Sequence, residues 1–297
     1  MLLLPFQLGC RSPANGLCAG LKSHDEPAGQ SRLPGIFLAA LLVAGFSAPA
    51  FADRQIIKMT IDDVKRSALV FSPSNPGDAK LPLVFVFHGR GDDNGKFARA
   101  VRLHKDWKNA VVVYPRGLTI DTKPPMRGWQ SRVGQYADRD LKFTDRLLQR
   151  LTTMFAVDPQ KTYVAGFSNG GHFTFLLLKE RADSFVAYAV IGALHPDFQS
   201  DTAPKPFIYL FGRQEGTQYQ DQWVKTVKAL ARHNQASGEQ SEYEDCCTLL
   251  YPKPGGAIMV YGLYNAGHIW PNRGNERLLR FFGQASSDLL TADSGKK

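Results

Sequence analysis

The chain has 297 residues, with 36 Lys and Arg against 27 Asp and Glu for a net charge of +9; 43% of residues are hydrophobic and 21% charged. That apolar content excludes an intrinsically disordered chain, and 4 Cys over this length exclude a small disulfide-stapled scaffold. Lys and Arg are scattered without a dense run or interleaved aromatics, so the positive excess reads as solvated surface and predicts no nucleic-acid partner.

Residues 1–31 lack periodicity and precede the one long apolar run, residues 33–52, which follows Arg32 and closes on Ala50-Phe51-Ala52. Small residues two apart behind an apolar core mark a secretory signal cut after Ala52. Residues 1–52 therefore read as leader and signal, with the start codon placed too far upstream. The uncharged core, residues 34–46, falls short of the ~20 residues that a membrane span needs. The expectation is a secreted or periplasmic protein with no stable membrane insertion after cleavage. The leader removes three basic residues, Arg11, Lys22 and Arg32, and two acidic ones, Asp25 and Glu26, so the remainder stays basic.

From residue 53 to about 285 no repeat or linker interrupts the pattern, which predicts one domain followed by a fraying polar tail, residues 286–297. Residues 55–61 and 66–71 alternate polar and apolar like an antiparallel edge hairpin. Residues 83–87, 110–114, 162–165, 186–191 and 206–211 are short continuous apolar runs, as expected of strands buried on both faces, and 256–264 forms a further strand. Leu141, Leu147, Leu148, Leu151, Met154 and Phe155 recur at helical spacing, as do Trp223, Val224, Val227, Leu230 and Ala231, and a last helix covers 275–282. Alternating strands and helices specify an α/β fold with a mostly parallel sheet and helices on both faces. Only Cys246 and Cys247 survive cleavage. They are adjacent, and a bond between neighbours is strained, so free thiols or pairing between chains are equally compatible.

Gly166-Phe167-Ser168-Asn169-Gly170 fits G-x-S-x-G between a buried strand and an apolar helix, residues 169–180. A sharp strand-to-helix turn needs glycine where backbones press together, and it raises the serine hydroxyl at a helix N-terminus. Ser168 is thus the candidate nucleophile. Of the 7 His, His24 lies in the leader and His172 sits one turn along the serine's own helix. His104, between lysines, reads as surface, and His233 as a solvated imidazole at a helix C-terminus. His268, in a loop between the last strand and the last helix, is the candidate base. His88-Gly89-Arg90-Gly91 follows a buried strand and reads as an oxyanion loop, with the backbone N–H of Arg90 joined by that of Asn169. The third member should be a carboxylate after a strand, and Glu215, behind residues 207–211, is in place; Asp221 and Asp245 are alternatives.

With these motifs the chain resembles the secreted polyhydroxybutyrate depolymerase and feruloyl esterase family of α/β-hydrolases, which includes carbohydrate esterase family 1. The resemblance spans about residues 81–271. It rests on His88-Gly89, Val113-Tyr114-Pro115-Arg116-Gly117, Tyr163-Val164-Ala165 with the serine motif and Gly171, and Gly267-His268-Ile269-Trp270-Pro271. It implies an α/β-hydrolase fold, Ser168 as nucleophile, His268 as base and the 88–91 loop as oxyanion site. It implies that His88 lies against substrate and that Trp129 and Trp270 resemble tryptophans near the substrate cleft, with a place in the core equally open to both tryptophans. Where the family usually has histidine, glycine and, two residues later, aspartate, this chain reads Phe211-Gly212-Arg213-Gln214-Glu215.

The implied reaction is serine-dependent hydrolysis of carboxylic esters through an acyl-enzyme, with no metal or organic cofactor. The implied partners are hydroxyalkanoate oligomers or acyl groups linked to polysaccharide. A serine peptidase of the same fold and a catalytically silent binding protein are the alternatives. The pocket walls, drawn from loops such as residues 119–136, are not legible.

Overall fold

A computed structural model describes residues 53–294; the leader and signal expected over residues 1–52 lie outside them, as do residues 295–297. In chain order the elements are β1 (Asp53–Ile61), β2 (Val64–Ser72), β3 (Leu81–Phe87), α1 (Asn94–Val101), α2 (Leu103–Asp106), β4 (Val111–Pro115), β5 (Leu118–Ile120) and β6 (Met126–Gly128). There follow α3 (Arg139–Met154), β7 (Val157–Phe167), α4 (Asn169–Glu180), β8 (Ala187–Ile191), β9 (Phe207–Gly212) and α5 (Gln220–His233). The chain closes with β10 (Ala236–Tyr243), β11 (Cys247–Pro252), β12 (Met259–Tyr264) and α6 (Gly274–Ser294).

Ten strands form one sheet in the order β1-β2-β4-β3-β7-β8-β9-β12-β11-β10. Its centre, β4-β3-β7-β8-β9-β12, is parallel throughout. Antiparallel strands extend it at both edges, β1 and β2 on one side, β11 and β10 on the other. The central strands are continuously apolar because both faces are covered. Phe85 and Phe87 of β3 join a core with Leu147 of α3, Phe173 of α4 and Leu230 of α5, while Val84 and Val86 join a second core with Phe97 of α1 and Phe281 of α6.

Three differences from the sequence pattern have physical causes. β7 begins at Val157, five residues ahead of its apolar run, because it crosses a register shift against β3 between Leu81 and Leu83. β10 reads as polar loop because it is an exposed edge strand whose only buried residue is Tyr243. α6 continues past Phe282 to Ser294. Cys246 and Cys247 lie at the β10–β11 turn with their sulfur atoms facing each other. Among the described residues no helix is long and apolar enough to cross a membrane.

Candidate active site

Ser168 stands between β7 and α4 with φ 54° and ψ −119°, a conformation that a β-carbon disfavours. The surroundings over-determine it. Its N–H donates to the Ile191 carbonyl at the end of β8 (2.8 Å), and its own carbonyl accepts the His172 N–H (3.0 Å) to start α4. Glycine is obligatory two residues on, where a β-carbon on Gly170 would lie on the Phe87 carbonyl oxygen.

His268 reaches this turn from the loop after β12. Its Nδ1 is 2.7 Å from Glu215 Oε2 and its Nε2 is 2.8 Å from Ser168 Oγ. A carboxylate only accepts, so Nδ1 carries the proton and Nε2 is left to accept from the serine hydroxyl. The Glu215 side chain is 7% exposed and that of His268 46%, so the acid is sheltered while the imidazole remains open. Glu215 ends a single 3-10 turn, Arg213–Glu215, that curls its other oxygen back to accept the Gly212 N–H at 3.1 Å. The two loops are tied directly, through Gln214 N–H to the Ala266 carbonyl (2.9 Å) and Gln214 Nε2 to Asn265 Oδ1 (3.1 Å). Tyr264 Oη donates to the Ile269 carbonyl at 2.8 Å and fixes the far side of the histidine loop. Asp245 is engaged elsewhere, by Arg277 at 2.7 Å; Asp221 lies in the first turn of α5, with no contact to His268.

The 88–91 loop closes on the same point. An added β-carbon at Gly89 would sit 3.3 Å from the Ser168 β-carbon. The backbone N–H groups of Arg90 and Asn169 find no acceptor among the described residues. They are available to an oxyanion. His88 and Trp129 are corrections to the substrate-contact expectation. His88 is fully buried, its Nδ1–H donating to the Gly89 carbonyl (2.7 Å) and its Nε2 accepting the Gly117 N–H (3.0 Å). Burial pushes its imidazole below the ordinary range. Trp129 is 1% exposed, donates from Nε1 to the His88 carbonyl (2.9 Å) and packs on Phe87 and Phe173. Both buttress the loop from behind. Trp270 is half-buried, its Nε1–H on Asn275 Oδ1 (3.0 Å) and its ring edge-on to Phe97.

Sequence reasoning missed three contributors. Gly192, at φ +63°, faces His268: a β-carbon there would come 3.2 Å from the imidazole Cε1. Its signal was its place behind a buried strand at the end of the sheet that carries Ser168. The Asn169 side chain accepts the Trp129 N–H through Oδ1 (2.8 Å), tying the residue after the serine to the oxyanion support. Behind that lies a buried network in which Asp140 accepts from Arg66 (2.8 Å) and from the Gln130 N–H (2.9 Å). His172 is half-buried. Desolvation, then the charges of His195, Arg90 and His268, push it down to about 4, so it presents a neutral ring. His104 is half-buried rather than freely solvated: it stacks on Phe71 at 3.7 Å and burial lowers it to about 4. His233 is also pushed down by burial, against the helix-end reading. No three His, Cys, Asp or Glu among the described residues are grouped to hold a metal ion.

Residues 63–242 match the Esterase family model, more than half of the chain. The chain belongs to the Esterase family. Over 138 residues it is 28% identical to the bifunctional acetylxylan esterase/xylanase XynS20E of Neocallimastix patriciarum, covering 44% of this chain and 19% of that protein. Over 175 residues it is 26% identical to feruloyl esterase D of Neurospora crassa, covering 54% and 57%. The chain thus spans less than two thirds of either relative. In fold it is similar to the acetyl xylan esterase from Aspergillus awamori, with a TM-score of 0.59 at 13% identity over 77% of this chain and 99% of that one. The α/β-hydrolase fold follows from these neighbours and from the parallel sheet.

Proposed function

We propose that this protein is an exported serine esterase that cleaves carboxylic esters through a covalent acyl-enzyme. The observation that carries the reading is one imidazole bridging the Ser168 hydroxyl and the Glu215 carboxylate at 2.8 and 2.7 Å. As the Ser168 oxygen attacks the ester carbonyl, His268 Nε2 takes its proton, and Glu215 stabilises the imidazolium through Nδ1–H. The carbonyl oxygen becomes an oxyanion, for which the Arg90 and Asn169 N–H groups supply donors whose positions are set before reaction. Collapse of the tetrahedral intermediate expels the alcohol, protonated by His268, and leaves an ester on Ser168. Water then repeats the sequence with His268 again as base, releasing the acid.

Membership of the Esterase family supports the reaction class, and the relatives named for acetylxylan and feruloyl esters make polysaccharide-linked acetyl and hydroxycinnamoyl groups the favoured substrates, with hydroxyalkanoate oligomers next. Export is supported by the apolar run of residues 33–52, which closes on small residues two apart at Ala50 and Ala52. Hydrolysis of p-nitrophenyl acetate, methyl ferulate, acetylated xylan and hydroxybutyrate oligomers, with and without a serine-directed phosphonate, tests the reading. Turnover lost on stoichiometric labelling of Ser168 is expected. Turnover that survives full labelling, or preferred amide cleavage, would refute it.

A further inference from the structure

The β1–β2 hairpin, together with Arg116 and the β5–β6 ribbon, bounds an open cavity of about 590 Å3, inside the ~300–1,000 Å3 that small-ligand sites occupy. Register pairs Lys58 with Ser67 and Thr60 with Lys65, so strand alternation brings these four side chains onto one face. Arg116 and Arg127 complete the lining, which holds five cations and no acidic residue. Two of the five are compensated: Arg66 by Asp140 at 2.8 Å and Arg116 by Asp93 at 3.2 Å. Lys58 and Lys65 have no carboxylate partner among the described residues, and Arg127 makes no direct ion pair, its charge acting at longer range on Asp93. Like charges gathered around one concavity repel, and an anion placed between them relieves that repulsion.

The lining narrows the kind of anion. It contains no aromatic side chain, so the stacking platform that single-stranded nucleic acid uses is missing. It is concave and carries only Met59 and Leu118 as apolar side chains, which does not suit the flat apolar contact of a lipid surface. Hydroxyls of Thr60 and Ser67 stand between the cations, matching a chain on which hydroxyls and carboxylates alternate. The ribbon also links this cavity to the serine. The Arg127 carbonyl accepts the Gly91 N–H at 2.8 Å, and the Gly117 N–H reaches His88, so one wall of the cavity backs the loop that abuts Ser168.

We infer that this cavity is a subsite for a uronate-bearing polysaccharide, whose carboxylates pair with Lys58, Lys65 and Arg127 while an ester on the same chain is presented to Ser168. The inference names the substrate class of the esterase reading and takes its purpose from it, but binding can be measured independently of hydrolysis. The experiment uses the full chain with Ser168→Ala and titrates polygalacturonate calorimetrically. Binding that weakens as salt is raised is expected, with Lys58→Glu/Lys65→Glu lowering affinity roughly tenfold or more and the milder Lys58→Gln/Lys65→Gln falling between. In the active chain, the same charge reversal should lower, by a similar factor, the ratio of kcat/KM on acetylated glucuronoxylan oligomers to that on neutral acetylated xylo-oligomers. Equal affinity for neutral xylan would overturn the inference. So would tighter binding to phosphatidylglycerol vesicles or single-stranded DNA, or an affinity that neither pair of substitutions moves. Salt-sensitive, charge-dependent binding in a chain whose active form cleaves no ester would keep the subsite and remove the esterase reading alone.

Discussion

His268 and His88 are held in nearly the same way and differ in what they can do. Each uses both ring nitrogens, and in each the partner at Nδ1 only accepts, so both rings carry the proton there and accept at Nε2. At His268 the acceptor is a carboxylate and the ring is open to solvent; at His88 it is a neutral backbone carbonyl and the ring is sealed. A carboxylate lies against the ring in the first setting, whereas in the second desolvation penalises a positive charge. The difference teaches that an oriented imidazole becomes a base only with a compensating charge and a route for the reactant. Without them the same geometry makes a structural strut.

The largest effect should come from removing what distinguishes the first setting, its reacting partner. Ser168→Ala is expected to lower kcat on p-nitrophenyl acetate by roughly 10⁴-fold or more, with an unchanged thermal midpoint in calorimetry. Glu215→Gln makes the surroundings of His268 resemble those of His88, replacing the charge with an amide that also fits the opposite tautomer. A loss of roughly 10³ to 10⁴ in kcat is expected, and a loss below tenfold would show the carboxylate to be dispensable. Disturbing the strut instead, His88→Asn should cost about 10²-fold in kcat by loosening the oxyanion loop, while phosphonate still labels Ser168 stoichiometrically.

The smallest effect concerns acid. His88, His104 and His172 are all held below the ordinary histidine value, the last two at about 4. The unfolded chain therefore binds more protons between pH ~6.5 and the folded values, so their contribution to stability is present above ~6.5 and is lost as pH falls toward 4. In calorimetric scans His104→Phe, which keeps the stack on Phe71, should flatten the fall of Tm across that window. An unaltered slope would remove His104 from the acid response.

Much of this contrast was legible in the residues. The serine turn, the histidine after the last central strand and the parallel apolar strands are all local signals, fixed by glycine placement and continuous burial. The carboxylate that contacts His268 was harder to read, because Glu215 stands three residues beyond Gly212 where an aspartate two residues on is the pattern of the family the chain resembles. A 3-10 turn and one extra methylene bring its carboxylate to His268 at hydrogen-bonding distance. His88 and Trp129 were misassigned because a motif gives a residue's neighbours in the chain but not its depth. Both occupy loop segments, and only packing against Phe173, Gly117 and Asn169 turns them inward. The β5–β6 ribbon was illegible because three residues a strand are too few to show alternation, and the edge strand β10 because a polar, exposed strand has little hydrophobic periodicity to read.

Strands β9 and β12 are immediate parallel neighbours, with Gly212 opposite Tyr264. The segments bearing Glu215 and His268 therefore leave the sheet side by side and are stitched together through Gln214. Glu215 and His268 form a single cassette riding on one strand pair, so twisting of the sheet carries them together and changes mainly their aim at the serine. A transplant into another hydrolase scaffold would have to move both loops as one piece.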